Sequence, residues 1–301
     1  MKSVLFPLPG NEAFAASVSK AMSCELGELE TRLFPDGESY VRLLTPVKDR
    51  EVTLLCTLHK PDDKLIRLYL AASTARELGA RSVGLVAPYL AYMRQDSHFK
   101  TGEGAASMHM ARFLSASFDW LVTVDPHLHR HHSLDEIYSI PTRVVQSAPM
   151  IAAWIKQNVS RPVIVGPDAE SEQWALKVAR DVGCPHSILQ KTRHGDRDVE
   201  VTAPQTGGWE NMTPVIIDDI ASTGKTMIAA IQHLRAAGLP APVCIAVHGV
   251  FADGAVADMQ AAGAGRIVTC NTIGHATNDI SVEEAVASAA AEVMPQLSFA
   301  A

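Results

Sequence analysis

Residues 214 to 227 read PVIIDDIASTGKTM, an apolar run followed by two adjacent carboxylates and a turn of small residues that leads into a helical pattern. Such a turn exposes backbone N–H groups at the start of a helix, where the helix dipole adds positive charge, and both features favour binding of a phosphate group. A Walker A nucleotide loop is excluded, because it needs glycine five residues before the Gly-Lys-Thr, where this sequence has Asp219.

The two carboxylates next to this turn suggest which phosphate compound binds. Asp218 and Asp219 precede the turn by about the width of a sugar, and carboxylates accept hydrogen bonds from hydroxyl groups. A simpler interpretation is that the acids end a strand and the glycine starts a helix. The stretch otherwise predicts a ribose 5-phosphate site, with its diol on Asp218 and Asp219 and its phosphate on Ser222, Thr223, Gly224, Lys225 and Thr226.

Short apolar runs without polar alternation recur on both sides of this stretch. Runs of this kind are typical of parallel strands that are covered on both faces, and they occur at 3–6, 52–56, 82–87, 120–124, 162–166, 214–219, 242–250 and 266–270. Helical patterns lie between them, at 62–79, 103–117, 147–158, 170–183, 225–238, 254–263 and 281–296. This alternation predicts an α/β doubly wound fold with mostly parallel sheets.

The organisation occurs twice along the chain. Residues 120–125 and 214–218 both run from apolar residues into aspartate, near the end of each half. We therefore expect two similar doubly wound domains, residues 1–145 and 146–301, with the last helix packing back on the amino-terminal domain. A chain of 301 residues is long enough for two such cores.

Composition limits the partners and the compartment. The net charge of −7 argues against a nucleic-acid partner, since such binding depends on basic residues that neutralise phosphates. No apolar run approaches the ~18 residues that span a bilayer, so no membrane partner is expected. Five scattered cysteines without C-x-x-C spacing indicate neither a disulfide framework nor a zinc site, and a reducing cytoplasm fits best.

Ligands of doubly wound sheets bind at the carboxyl ends of the strands. Three further polar loops follow apolar runs, with the sequences PYLAYMRQD (88–96), DPHLH (125–129) and GPDAES (166–171). A zinc site at the histidine-rich segment 127–132 is weakly supported, because no cysteine or second histidine group stands at a convincing ligand spacing. These polar loops instead indicate a phosphate-binding site.

The stretch at 214–227 resembles the phosphoribosyl-binding signature of type I phosphoribosyltransferases and of ribose-phosphate pyrophosphokinases. The amino-terminal half separates these groups. RLFPDGESYVRL (32–43) resembles the pyrophosphokinase segment F-x-D-G-E, which implies that Phe34 stacks on the adenine of ATP while Asp36 and Glu38 accept from its amino group. A Pro-Asp-Gly hairpin turn is the alternative interpretation.

Three further segments are similar to the same family and occur in family order. The YMRQD segment implies that Arg94, Gln95 and Asp96 bind ATP. VTVDPHLHRHH (122–132), with Pro126 where the family usually has leucine, and VGPDAES (165–171), with Ala169 and Glu170 where glycine is common, imply that His127 and Asp168 lie on the metal. LQKTRHGDRDVEV (189–201) resembles the catalytic hairpin, which implies catalytic roles for Lys191 and Arg193.

The resemblance, which is closest to the shorter archaeal-type members, implies a phosphoribosyltransferase-like fold and a ribose-phosphate diphosphokinase. Such an enzyme transfers the β,γ-diphosphoryl group of ATP, bound with Mg²⁺, to the 1-hydroxyl of ribose 5-phosphate. The products are 5-phosphoribosyl 1-diphosphate and AMP. The resemblance also implies a homo-oligomer, dimer or higher. A type I phosphoribosyltransferase and a non-catalytic regulatory subunit remain the alternatives.

Overall fold

The computed structural model describes residues 3–128, 130–189, 191–194, 198–201 and 208–294. The chain forms two compact units. Unit 1 contains the described residues up to Val145 together with those from Val282 onward, and unit 2 contains Gln146–Ser281. Each unit is built around its own parallel sheet, as is typical of doubly wound proteins.

Unit 1 contains a six-stranded parallel sheet and a separate hairpin. The sheet has the order β2-β1-β5-β6-β7-β8, with β1 (Ser3–Pro7), β2 (Glu25–Leu26), β5 (Glu51–Leu55), β6 (Ser82–Ala87), β7 (Trp120–Val124) and β8 (Thr142–Val145). The hairpin pairs β3 (Leu29–Leu33) with β4 (Ser39–Leu43) in antiparallel register. The helices are α1 (Glu12–Ala21), α2 (Asp62–Glu77), α3 (Ala106–Ser117) and α8 (Glu283–Val293), and α8 packs on α1, β7 and β8.

Unit 2 repeats this arrangement. Its parallel sheet has the order β10-β9-β13-β14-β15-β16, with β9 (Pro162–Gly166), β10 (His186–Ile188), β13 (Thr213–Ala221), β14 (Val243–Gly249), β15 (Arg266–Cys270) and β16 (Asn278–Ile280). An antiparallel hairpin of β11 (Lys191–His194) and β12 (Asp198–Val201) follows the second strand, as in unit 1. The helices are α4 (Ala148–Asn158), α5 (Glu172–Val182), α6 (Lys225–Ala236) and α7 (Ala255–Ala261).

The central strands are mostly apolar because helices cover both faces of each sheet. Every residue of β5, β6 and β7 is buried. Gly84 is required in β6, since the Trp120 side chain of the neighbouring strand fills the space that a Cβ would occupy. The core of unit 2 is formed in the same way by the apolar residues of β13 and β14 and the inner face of α6.

The predicted fold class is confirmed, and all eight apolar runs lie on strands of the two sheets. The segment predicted as a helix over 170–183 begins as a 3-10 turn, Ala169–Ser171, before α5. Helix α1 and the short strands β2, β8, β10 and β16 were not predicted. Among the helices of the described ranges, none has the length and apolar character required to cross a bilayer.

Candidate active site

Three aspartates lie at the carboxyl ends of β9 and β13 in the unit 2 sheet. The strand order reverses here, because β9 pairs with β10 on one side and with β13 on the other. Such a reversal opens a crevice above the strand ends, where ligands bind in doubly wound folds. Asp168 follows β9, and Asp218 and Asp219 lie near the end of β13, so three carboxylates occupy this edge.

The charges of Asp219 and Asp168 perturb the pKa of Asp218. The pKa of Asp218 is raised from 3.8 to about 8, first because the group is withdrawn from water and then because the charges of Asp219 and Asp168 lie close to it. A hydrogen bond of 3.0 Å from the Asp219 backbone N–H to Asp218 Oδ1 partly opposes this rise. The arrangement therefore favours ligands that supply hydroxyl donors or positive charge.

The turn that follows β13 leaves backbone donors at the start of α6. Gly224 is the N-cap residue, has a φ of +71° and receives no side-chain cap, and the first turn of α6 contains no acidic residue. A left-handed residue at this position suits glycine, and a Cβ there would lie 3.1 Å from Met259 Cγ. Thr223 and Lys225 are exposed and Ser222 and Thr226 are half-buried, so the turn can receive an anion from solvent.

Asp168 is held in place by a capping box. Its Oδ1 accepts from the Ser171 backbone N–H at 3.2 Å, and the Ser171 hydroxyl lies 3.3 Å from the Asp168 backbone N–H. This geometry orients the carboxylate at the end of β9 without help from the glycine that is common in the resembled family. Ala169 and Glu170 occupy the 3-10 turn and are both exposed.

The hairpin of unit 1 carries Phe34 near its turn. The Asp36 carboxylate accepts from the Glu38 backbone N–H at 3.2 Å, and the Phe34 N–H donates to the Glu38 carbonyl at 2.8 Å. The Pro-Asp-Gly segment is therefore a hairpin turn, and Asp36 stabilises it. Arg32, which the sequence did not suggest, places its guanidinium 4.5 Å from the centre of the Phe34 ring and covers one side of it.

This hairpin also packs on α2. A cavity of about 560 Å³ lies between them and is lined by the polar residues Glu38, Ser39, Asp62, Asp63 and Arg67 together with apolar ones. Glu38 thus faces a space large enough for a small ligand. Leu33 and Ile66, which also line it, remain more than half exposed, at 51% and 58%.

The loops after β6 and β7 meet through an ion pair. Asp96 Oδ1 lies 3.1 Å from Arg130 Nε, and the Asp96 side chain is only 8% exposed. The arginine is therefore the main partner of this carboxylate in the structure. Arg94 is exposed, whereas Gln95 and His127 are half-buried. Arg130 lies in the histidine-rich segment, and no local pattern linked it to the loop 34 residues earlier.

Lys191 and Arg193 lie two residues apart on β11, paired with Val201 and Val199 of β12. Their side chains lie outside the described part of the structure, and their catalytic roles stay predictions. The structure thus groups Asp168, Asp218, Asp219 and residues 222–226 in unit 2. It groups residues 94–96 with the loop that carries His127 in unit 1.

Family models and curated relatives match both halves of the chain. Residues 3–117 match the model of the N-terminal domain of ribose phosphate pyrophosphokinase, and residues 133–285 match that of the phosphoribosyl transferase domain. A ribose-phosphate pyrophosphokinase of Saccharolobus solfataricus is 35% identical over 88% of this chain and 91% of its own length. One of Methanothermobacter thermautotrophicus is 31% identical over 92% and 96%.

A solved structure supports the fold over the whole chain. Phosphoribosylpyrophosphate synthetase from Mycobacterium smegmatis superposes with a TM-score of 0.84 at 22% identity, covering 98% of this chain and 100% of that one. The family that the motifs indicated is therefore confirmed: the chain belongs to the ribose-phosphate pyrophosphokinases.

Proposed function

We propose that this chain is a ribose-phosphate diphosphokinase, which transfers the β,γ-diphosphoryl group of MgATP to the 1-hydroxyl of ribose 5-phosphate. The oxygen of that hydroxyl attacks the β-phosphorus, the bond from the β-phosphorus to the α,β-bridging oxygen breaks, and AMP leaves. The main supporting observation is the edge of unit 2, where Asp218, whose pKa is raised by burial and by the charges of Asp219 and Asp168, stands beside an uncapped phosphate-type turn.

Unit 2 supplies the ribose 5-phosphate site in this proposal. Asp218 and Asp219 accept hydrogen bonds from the two adjacent ribose hydroxyls, and the turn of residues 222–226 binds the phosphate through its backbone N–H groups. The raised pKa of Asp218 supports this role, because hydroxyl donors relieve the cost of an ionised, half-buried carboxylate. Lys225 adds positive charge beside the phosphate.

Mg²⁺ is the metal that these residues suit. Aspartate oxygens are hard ligands of the kind Mg²⁺ prefers, and it usually takes one or two carboxylates and completes its shell with substrate phosphates and water. Within the described ranges, no group of three or more His, Cys, Asp or Glu side chains is arranged to hold a metal ion. We propose Asp168 of unit 2 and His127 of unit 1 each as a partial ligand of Mg²⁺ in an open shell of this kind. When bound, the ion would neutralise charge on the diphosphoryl group.

Unit 1 supplies the ATP-binding residues. Arg94 is exposed and its guanidinium can bind phosphate oxygens in two-point fashion, while Phe34 offers one ring face to the adenine. Gln95 and Asp96 position the nucleotide from the loop after β6, and Glu38 contributes an acceptor from the hairpin. Asp36 acts through the hairpin turn that its carboxylate stabilises.

A homo-oligomer, dimer or higher, is part of the proposal. Exposed apolar side chains on the hairpin and α2, at Leu33, Ile66 and Tyr69, support a subunit contact on this face. Ile66→Asp should lower the assembly state in light scattering. Retention of the wild-type mass by this variant would contradict a contact at α2.

Lys191 and Arg193 stabilise the negative charge that develops on the transferred group. Loss of one such cation typically costs on the order of 10³ in turnover. We expect Lys191→Ala to bind ribose 5-phosphate with nearly unchanged affinity while turnover collapses. Lost affinity with normal turnover would assign the lysine to binding instead.

The reaction is tested by mixing the purified protein with Mg²⁺ and ATP, with and without ribose 5-phosphate, and separating the nucleotides. AMP that appears only with the sugar phosphate, without free ADP, supports diphosphoryl transfer. ADP would indicate transfer of a single phosphoryl group. Consumption of 5-phosphoribosyl 1-diphosphate with a nucleobase would indicate a phosphoribosyltransferase, and binding without any turnover would indicate a regulatory subunit.

A further inference from the structure

A buried histidine lies at the carboxyl end of β14, directly beside the strand that carries Asp218 and Asp219. His248 pairs with Ile220 of β13 in the parallel register and is only 1% exposed. Its Nδ1 lies 2.8 Å from the hydroxyl of Thr272, a residue of the loop after β15 that is also 1% exposed. This pair therefore connects the ends of two strands at the same edge of the sheet as residues 222–226, the ribose-phosphate turn.

The hydrogen bonds of Thr272 define which imidazole nitrogen carries the proton. The Thr272 hydroxyl donates its single hydrogen to the Val247 carbonyl at 3.0 Å. Both contacts are satisfied together only when His248 Nδ1–H donates to Thr272 Oγ1. The threonine thus acts as acceptor and donor at once, and it fixes both the histidine ring and the backbone at the end of β14.

The segment that follows His248 forms backbone hydrogen bonds to the start of the ribose-phosphate turn. The Phe251 N–H donates to the Ala221 carbonyl at 2.9 Å, and the Ala252 N–H donates to the Ser222 carbonyl at 3.0 Å. These bonds hold the carbonyl groups of the turn. Gly249 leaves no room for a side chain, since a Cβ there would lie 2.7 Å from the Phe251 ring.

We propose that His248 and Thr272 are positioning residues for ribose 5-phosphate, because they fix residues 249–252 and thereby the turn that binds its phosphate. Neither side chain needs to touch the substrate. An anion that is bound by several backbone N–H groups depends on all of them pointing inward, so a small displacement of the turn lowers affinity. This inference rests on the ribose 5-phosphate site of the proposed function.

The central variant is Thr272→Val, which keeps the shape of the side chain and removes the hydroxyl. We expect it to weaken ribose 5-phosphate binding by on the order of tenfold, in calorimetry and as a raised KM for that substrate. The KM for ATP should stay unchanged, because the residues proposed to bind ATP lie in unit 1. Thr272→Ser, which restores the hydroxyl, should recover the affinity.

Thr269→Val is the matched control. Thr269 is a fully buried threonine of β15, and its hydroxyl bonds to Thr277 and Asn278 at 2.8 Å each instead of to the end of β14. A general loss of packing would therefore affect both valine variants equally. We expect Thr269→Val to lose similar stability in urea unfolding while its ribose 5-phosphate affinity stays at the wild-type level.

Substitutions at His248 test the pair from its other side and serve if Thr272→Val does not fold. His248→Asn retains a donor near the position of Nδ1 and should keep most of the affinity, whereas His248→Leu should lose it. Unchanged affinity in Thr272→Val or in His248→Leu would overturn the inference, as would an equal loss in Thr269→Val.

The outcomes also separate this inference from the proposed reaction. Wild-type protein that binds ribose 5-phosphate but forms no AMP would refute the reaction, while the binding measurements would still decide the role of the pair. Wild-type protein that does not bind ribose 5-phosphate would overturn both.

Discussion

Replacement of Asp218 by asparagine should make the ligand-free protein more stable and its sugar-phosphate binding weaker. The asparagine has the same shape and keeps an oxygen for the Asp219 N–H, which donates to Asp218 Oδ1 at 3.0 Å. It removes a carboxyl group whose pKa is raised from 3.8 to about 8 by burial and by the charges of Asp219 and Asp168. At pH 7 this shift can lower the free energy of unfolding by at most about 4 kcal/mol, because roughly three pH units separate 3.8 from neutrality and each is worth about 1.4 kcal/mol.

The direction in which stability changes with pH follows from proton binding. Because the folded pKa lies above the unfolded one, the native protein retains a proton that the unfolded chain has released, and wild-type stability falls as pH rises from about 4 to about 8. The variant lacks this fall. We expect its advantage in unfolding free energy to be about 1 kcal/mol near pH 5 and about 2 to 4 kcal/mol near pH 8, since relaxation around the site reduces this maximum.

The measurement is urea unfolding of both proteins across this pH range, with chelator present and substrates absent, together with calorimetry of ribose 5-phosphate binding. Loss of charge-assisted hydrogen bonds should weaken binding by about tenfold or more. Asp181→Asn, at an exposed aspartate of α5, is the control for the loss of one charge. Parallel pH profiles for wild type and Asp218→Asn, or a less stable variant near pH 8, would refute the electrostatic reasoning.

Three further predictions concern single residues. Gly224→Ala should lower ribose 5-phosphate affinity by tenfold or more in calorimetry, whereas Gly183→Ala, also at positive φ but with open space around it, should cost only about 1 kcal/mol in urea unfolding. Arg130→Ala leaves Asp96 unpaired in a mostly buried position and should raise the KM for ATP several-fold without changing that for ribose 5-phosphate, and equal changes in both would contradict this. Burial raises the pKa of the Cys244 thiol to about 12, so iodoacetamide near neutral pH should modify Cys244 only after urea unfolding, as read by mass spectrometry.

Much of the fold could be predicted because its physical causes are local in sequence. A strand buried on both faces must be apolar at most positions, and each of the eight apolar runs satisfies this requirement. The unpredicted elements lack such a signal. Strands β2 and β16 have two and three residues, which is too short for a pattern. Helix α1 has ten residues and buries only Ala15, Val18 and Ser19, so few large apolar residues mark it in the sequence.

Some residues of the candidate site could likewise be predicted from one stretch of sequence, and others could not. The carboxylates and the turn at 218–226 stand together in sequence, so their grouping could be predicted from one stretch. The Arg130–Asp96 pair joins the loops after β6 and β7, and the His248–Thr272 pair joins the end of β14 to the loop after β15. The members of these pairs are 34 and 24 residues apart. Contacts of this kind arise from the order of strands in the sheet, which a single sequence does not reveal.

The two sheets share one strand order, and they differ in what fills the crevice where that order reverses. In unit 1 this crevice lies between β1 and β5, and Asn11, which is 4% exposed, closes it. Its amide donates to the Leu8 carbonyl and accepts from the Thr57 N–H, both at 2.9 Å, while Lys64 donates to the Thr57 carbonyl at 2.7 Å.

Side chains of unit 1 therefore satisfy the backbone groups that would otherwise be available to a ligand at this point. In unit 2 the corresponding crevice lies between β9 and β13, and Asp218 borders it with a pKa raised by burial and by the charges of Asp219 and Asp168. A site that stores such unfavourable interactions gains more from a ligand than one whose groups already have partners. The same scaffold thus satisfies its polar groups at one strand reversal and leaves a perturbed carboxylate at the other, and this difference supports the proposal that the sugar phosphate binds to unit 2.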